Sequence, residues 1–152
     1  MITPLDRSLL DLAHEQARTG LAEGGIPIGS VLAAGETVLG RGYNRRFQQG
    51  DPVLHAEMDA LRDAGRLSAA QYARCTLYTT LSPCDMCSGA ALLYGIPRIV
   101  VGEDRTFQGP HEYLLSRGVL IEVADVPEIR EMLESFVKDH PELWNEDIGE
   151  NV

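Results

Sequence analysis

The spacing of apolar residues predicts a long helix at the start of the chain. Thr3 precedes Pro4 and is followed three residues later by Asp6, a combination typical of a capped helix start. Apolar residues then recur every three or four positions through residue 21. This period predicts an amphipathic helix over residues 4–23, which Gly24 and Gly25 end.

Shorter apolar segments follow, separated by turn residues. Residues 26–33 and 37–43 lie on either side of Ala34-Gly35-Glu36 and predict a β-hairpin. Further strands are predicted over 75–80, 98–102 and 119–123. Further helices are predicted over 53–64, 83–94, 111–117 and 127–138. Helices connect the last three strands, so these strands should pair in parallel within an α/β fold.

Composition narrows the class of protein. With 152 residues, 44% hydrophobic and 24% charged, we expect one globular domain over residues 1–152. A net charge of −10 predicts that nucleic acid is not a partner. No apolar run approaches the roughly 20 residues that span a bilayer, and residues 1–7 lack the features of a secretory signal. We therefore expect no membrane partner and a cytoplasmic location.

Two short segments carry candidate metal ligands. His55 begins His55-Ala56-Glu57, and Cys84 and Cys87 lie in Pro83-Cys84-Asp85-Met86-Cys87, each near the start of a predicted helix. Cysteines three residues apart share one helical face, and a helix N-terminus stabilises thiolates. One imidazole and two thiolates suit Zn²⁺, and a set of three leaves a position for water, as in catalytic zinc sites.

Glu57 is the candidate catalytic residue. It lies two positions after His55, where its carboxylate can face the metal-bound water rather than the metal. Zinc lowers the pKa of bound water to about 7, and a nearby carboxylate can carry the proton. The pattern therefore predicts hydrolysis.

Two other interpretations of the cysteines remain open at this stage. The Cys-x-x-Cys pair also fits thiol redox chemistry. A structural zinc module would need a fourth protein ligand, for which the candidates without motif spacing are Cys75, His14, His111 and His140.

The combination of His-x-Glu with Pro-Cys-x-x-Cys resembles the signature of zinc-dependent nucleobase deaminases. Similarity to the fungal-type cytosine deaminases, within the cytidine deaminase superfamily, extends further along the chain. The segments that carry it are 23–29, 40–44, 76–82, 94–98 and 144–150. The resemblance implies a three-layer α/β/α sandwich with a five-stranded mixed sheet, and a homodimer.

The resemblance also implies substrate-binding residues. Asn44 would bind the base through its amide, Asp147 would contact the ring, and Phe107 and Trp144 would form the pocket walls. Alternatively, Asn44 only shapes a turn, the two aromatic residues belong to the core, and Asp147 is a solvated charge.

Other expected substrate contacts lie within or beside the metal motif. The backbone around Ala56 and Ser82 would add polar contacts to the base. Ala56 replaces the glycine of the fungal pattern, which bears on base placement. Asp59, one helical turn after His55, is a further candidate, either for contact with the base or for support of the residues that bind metal and base, with a surface charge paired to Arg62 as the alternative.

These observations favour hydrolytic deamination of a free pyrimidine base, cytosine to uracil with release of ammonia. Isocytosine would give the same product and is the first alternative, followed by guanine, nucleosides and transfer-RNA adenosine. The predicted partner is a small-molecule nucleobase.

Overall fold

The computed structural model of the protein describes residues 1–150, so the last two residues of the predicted domain lie outside the described residues. One five-stranded sheet has the strand order β2-β1-β3-β4-β5. Its strands are β1 (Gly29–Ala34), β2 (Thr37–Tyr43), β3 (Cys75–Leu81), β4 (Arg98–Glu103) and β5 (Leu120–Val123). β1 pairs antiparallel with β2 and β3, whereas β3, β4 and β5 are parallel. The predicted mixed sheet and its parallel half are confirmed.

The helices surround this sheet. They are α1 (Pro4–Ala22), α2 (Arg46–Gln49), α3 (Ala56–Ala64), α4 (Ala69–Tyr72), α5 (Asp85–Tyr94), α6 (His111–Ser116), α7 (Pro127–Asp139) and α8 (Pro141–Asp147). The three helices that the sequence did not predict, α2, α4 and α8, have four to seven residues, too few to establish a helical period. None of the helices described within residues 1–150 has the length and apolar character needed to cross a bilayer.

Some predicted boundaries were wrong, and two of these matter for the metal ligands. α3 begins at Ala56 rather than at residue 53, and α5 begins at Asp85 rather than at Pro83. His55 and Cys84 are therefore N-cap residues with extended backbone. β1 begins at Gly29 rather than at residue 26.

Strand residues alternate between two hydrophobic layers. Leu32, Leu77 and Ile99 face a cluster that includes side chains of α3, α5 and α6. Val31 and Tyr78 face the opposite cluster, which α1 and α7 cover. Because successive strand residues point to opposite faces, both faces of the sheet carry apolar side chains, and helices cover each face. This confirms the three-layer α/β/α architecture.

A buried carboxylate connects α1 to the sheet. Asp6 is 2% exposed and accepts hydrogen bonds from both terminal nitrogens of Arg98, each at 2.8 Å, and from the Tyr78 hydroxyl at 2.8 Å. It also completes the capping box with Thr3. The Arg98 guanidinium holds the pKa of Asp6 well below its usual range.

We predict that Asp6→Asn lowers the free energy of unfolding by roughly 3 kcal/mol at pH 7, because Arg98 loses its buried anionic partner. Since the folded-state pKa of Asp6 is lowered, its contribution is present above the unfolded-state value of about 3.9 and is lost as the pH falls through the folded-state pKa. The difference between the parent and the variant should therefore narrow below pH about 4. Urea denaturation at pH 7 and pH 3 measures both effects.

Asp125→Asn is the matched control. Asp125, like Asp6, forms ion pairs with arginine, in its case with Arg105 at 3.0 Å and Arg130 at 3.2 Å, but its side chain is 46% exposed. Its loss should change the free energy of unfolding by less than about 1 kcal/mol. Equal losses in the two variants would contradict the role assigned to burial at Asp6.

Candidate active site

Two helix N-termini bring the three candidate metal ligands together. His55 Nδ1 lies 3.5 Å from Cys84 Sγ and 3.7 Å from Cys87 Sγ, and the ligand atoms of the three residues all lie within 4.8 Å of one another. The convergence follows from the packing of α3 and α5 on one face of the sheet. The structure thus positions His55, Cys84 and Cys87 to bind a metal ion, as predicted.

The donor set fits zinc. Two thiolates and one imidazole nitrogen are ligands that Zn²⁺ accepts readily, and three of them leave one tetrahedral position free. The residues considered as a fourth ligand do not belong to this group, namely Cys75, His14, His111 and His140. Cys75 lies at the start of β3, where its thiol donates to the Gln71 carbonyl. This arrangement favours a catalytic over a structural zinc site.

The ligands strongly perturb one another's protonation. A hydrogen bond from Cys87 is the main reason that the pKa of Cys84 is lowered to about 4. The hydrogen bond to Cys84, together with burial, raises the pKa of Cys87 well above its usual value. Burial alone would lower the pKa of His55, but hydrogen bonds to Asp147 and Cys84 outweigh it and raise that pKa to about 11. A bound cation would take the place of the protons held on His55 and Cys87.

Glu57 lies in the first turn of α3, in the pocket that contains His55 and Cys84. It is 4% exposed. Burial raises the pKa of its carboxyl to about 7, although the nearby His55 opposes this shift. A buried carboxyl beside the metal cluster has the position expected of a group that exchanges protons there.

Five of the residues predicted to bind the base line the same pocket, namely Asn44, Ser82, Phe107, Trp144 and Asp147. Its lining residues are Ile28, Asn44, His55, Glu57, Leu81, Ser82, Cys84, Phe107, Trp144, Asp147 and Ile148. Sequence reasoning missed Ile28, Leu81 and Ile148 because an apolar side chain at the end of a strand or helix carries no chemical signature. Their one signal was that each lies within a segment that resembles the deaminases, in 23–29, 76–82 and 144–150.

Asn44 and Asp147 form a buried donor–acceptor pair. Asn44 Oδ1 accepts from the backbone N–H of Arg46 at 3.0 Å, which leaves Nδ2 to donate to Asp147 Oδ1 at 3.1 Å. The same Asp147 oxygen lies 3.2 Å from His55 Nε2, and the Asp147 side chain is 3% exposed. Asp147 is therefore not a solvated charge, and Asn44 does more than shape a turn.

Ser82 holds the loop that carries Phe107. Its hydroxyl oxygen accepts from the Gly109 backbone N–H at 2.9 Å and lies 2.7 Å from His111 Nε2. The Glu103 carboxylate accepts from two backbone N–H groups of the same loop. These contacts fix the loop beside the end of β3. His111, considered above as a zinc ligand, instead supports the pocket.

Ala56 and Asp59 lie outside the side chains that line the pocket. Ala56 is fully buried at the first position of α3, in a cluster with Ile28 and Trp144. Asp59 is 2% exposed, and its carboxylate oxygens accept from Tyr43, Arg45 and Arg62. The geometry therefore corrects the expectation of a base contact at Asp59. It is also not a surface charge, although it does pair with Arg62.

Sequence comparisons agree with this geometry. Residues 4–103 match the family model described as the cytidine and deoxycytidylate deaminase zinc-binding region. A cytosine deaminase from Candida albicans is 47% identical over 146 residues, covering 95% of this chain and 97% of that protein. A tRNA-specific adenosine deaminase from Haemophilus influenzae is 39% identical over 99 residues, covering 64% of this chain and 57% of that protein.

Solved structures share the fold. One from a study of guanine deaminase from Nitrosomonas europaea aligns with a TM-score of 0.72 and 20% identity, covering 90% of this chain and 85% of that chain. One from studies of A-to-I editing by tRNA:A34 deaminases aligns with a TM-score of 0.65 and 26% identity, covering 78% and 98%. The family match includes His55, Glu57, Cys84 and Cys87, and the chain therefore belongs to the family defined by the cytidine and deoxycytidylate deaminase zinc-binding region.

Proposed function

We propose that the protein hydrolyses free cytosine to uracil and ammonia. The observation that carries this proposal is the buried pair of Asn44 and Asp147 beside the His55, Cys84 and Cys87 cluster. The pair offers one donor and one acceptor side by side in the pocket that also contains Glu57. The 47% identity to a cytosine deaminase over almost the full length of both chains supports it.

Cytosine presents the complementary groups. Its carbonyl oxygen and its adjacent ring N–H match the Asn44 amide N–H and the Asp147 carboxylate. Phe107 and Trp144 line the pocket with aromatic surface, which suits a flat ring. With the base held in this way, the carbon that bears the amine faces the metal cluster.

The same pair discriminates against isocytosine, in which the amine and the carbonyl are exchanged. If its amine carbon faces the metal cluster and its carbonyl meets Asn44, a ring C–H takes the place of the N–H opposite Asp147. The buried carboxylate then loses a hydrogen bond without gaining another, which costs affinity and rate.

Glu57 moves the protons in the proposed reaction. Bound zinc supplies a water that is readily deprotonated near neutral pH. Glu57 accepts one proton from water as the water oxygen bonds to the carbon that bears the amine. Glu57 then delivers this proton to the ring nitrogen next to that carbon. Glu57 then takes the remaining proton from the hydroxyl group added to that carbon and passes it to the amine, so that the C–N bond breaks, ammonia leaves and the hydroxyl becomes the carbonyl of uracil. The backbone of Ala56, at the first position of α3, and the backbone of Ser82 are proposed to supply further polar contacts to the base.

Larger substrates fit less well. A pyrimidine nucleoside lacks the ring N–H proposed to face Asp147, because that nitrogen carries the ribose. The net charge of −10 repels a polynucleotide. A free base therefore remains the proposed partner, in preference to guanine, nucleosides or transfer RNA.

The proposal extends to assembly and location. Exposed apolar side chains on α5, α6 and β5 form the surface proposed for a homodimer, namely Leu93, Tyr113, Leu115 and Leu120. Sedimentation equilibrium tests this, since a monomer at all concentrations would exclude the dimer.

The thiols of Cys84 and Cys87 must stay reduced to bind metal, which suits the cytoplasm proposed as the location.

The substrate prediction is tested by measuring ammonia release from cytosine, isocytosine, guanine, cytidine and adenosine. We expect cytosine to have the highest kcat/KM, with isocytosine lower by at least about tenfold because its C–H faces Asp147. Turnover confined to guanine or to nucleosides would contradict the proposed substrate.

The proton-transfer role predicts the behaviour of Glu57→Gln. This variant should retain about one zinc per chain yet lose activity by roughly 10²-fold or more, because the amide cannot carry the proton. Metal analysis and steady-state kinetics on the same preparation separate these effects. Cys84→Ala should instead lose zinc, and Cys75→Ala, a cysteine outside the cluster, should keep both zinc and activity. If Glu57→Gln turns over cytosine as fast as the parent, another group carries the proton.

A further inference from the structure

One buried carboxylate connects the helix of the metal site to the segment that bears Asn44. Asp59 lies on α3, one turn beyond His55. Its Oδ2 accepts from the Tyr43 backbone N–H at 3.1 Å and from Arg45 Nε at 3.1 Å. Its Oδ1 accepts from Arg62 at 2.9 Å. Tyr43 and Arg45 are the neighbours of Asn44 on either side, so Asp59 holds both flanks of the proposed base-binding residue.

The close approach of α3 to β2 makes this contact possible. A Cβ at Gly42 would lie 2.4 Å from the Ala60 backbone nitrogen and 2.6 Å from Asp59 Cβ, so only glycine fits there. At this separation the short aspartate side chain reaches the backbone of Tyr43. Arg45 also stacks over the Tyr43 ring, with 4.2 Å between its Cζ and the ring centroid.

The backbone hydrogen bonds of Asn44 and Arg45 attach this segment to parts of the protein other than α3. The Asn44 backbone N–H donates to the Ile28 carbonyl at 3.0 Å, and the Arg45 N–H donates to the Leu54 carbonyl at 3.0 Å. Neither bond involves α3, the helix that carries Glu57. Asp59 supplies the direct hydrogen bonds between that helix and the residues flanking Asn44.

We propose that Asp59 is a positioning residue, which fixes the Asn44 amide relative to Glu57 and His55 and so sets how the base is held. The inference rests on the proposed function, because it assigns Asp59 a role through the base contact of Asn44. A carboxylate is required because three donors converge on it and it carries none of its own. An asparagine would turn its NH₂ group towards one of these donors.

Asp63 provides a matched control on the same two elements. It also lies on α3, and its Oδ2 accepts from the Arg41 backbone N–H of β2 at 2.9 Å. The contact has the same chemistry as that between Asp59 and Tyr43 but lies farther along the helix from the site. If Asp59 only stabilised the packing of α3 on β2, Asp59→Asn and Asp63→Asn would behave alike.

The test is steady-state kinetics with cytosine on zinc-loaded variants. Asp59→Asn should raise KM by about tenfold or more, with a smaller change in kcat and zinc unchanged at one per chain. Asp63→Asn should leave KM within about twofold of the parent. Arg45→Met, which removes one donor and leaves Asp59 intact, should raise KM in the same direction and serves if Asp59→Asn does not fold. An unchanged KM in folded Asp59→Asn or in Arg45→Met would overturn the proposal.

A double-mutant cycle separates this inference from the proposed function. If Asp59 acts through Asn44, adding Asp59→Asn to Asn44→Ala should lower kcat/KM by no more than about twofold. Losses that multiply fully would overturn the positioning role while leaving the function intact. Full activity in Asn44→Ala would instead contradict the proposed recognition of the base, and with it any role of Asp59 through Asn44.

Discussion

The carboxylate of Asp147 is the contact on which the site depends, because it lies between the Asn44 amide, 3.1 Å away, and His55 Nε2, 3.2 Å away. His55 Nδ1 faces the two cysteine sulfurs, so Asp147 orients the imidazole from its other side, as carboxylates do for many metal-binding histidines. The last helix, α8, is thereby attached both to the metal cluster and to the proposed base contact. The Asn44 amide and the imidazole of a candidate metal ligand share one oxygen atom of Asp147.

The fold explains how residues so distant in sequence meet. The N-termini of α3 and α5 lie on the same face of the sheet, which brings His55 to Cys84 and Cys87. Hydrophobic contacts among Ile28, Leu81, Trp144 and neighbouring side chains form the apolar wall of the pocket beside them. This packing buries the few polar groups inside the pocket. Burial strengthens the hydrogen bonds of these groups and shifts their pKa values.

Much of this was predictable from the sequence, for definite physical reasons. Helices such as α1 and α7 are long enough to show a period, and the metal motif combines residue types with strict chemical requirements. The contacts of Asp59 were not predictable: its spacing from His55 placed it on the same helical face, but its partners Tyr43 and Arg45 come from the end of β2 and the start of α2. Contacts between elements, like the apolar lining at Ile28, depend on packing that no local pattern records.

The hydrogen bond proposed between Asp147 and the ring N–H of cytosine can be tested by the ratio of kcat/KM for cytosine over kcat/KM for isocytosine, measured in the parent and in Asp147→Ala. Any effect of the substitution on His55 and the metal applies to both substrates and cancels in the ratio. Cytosine loses a hydrogen bond to Asp147, whereas isocytosine has none to lose. In Asp147→Ala this ratio should be lower than in the parent by about tenfold or more, and so closer to one. A ratio equal to that of the parent would contradict the proposed hydrogen bond.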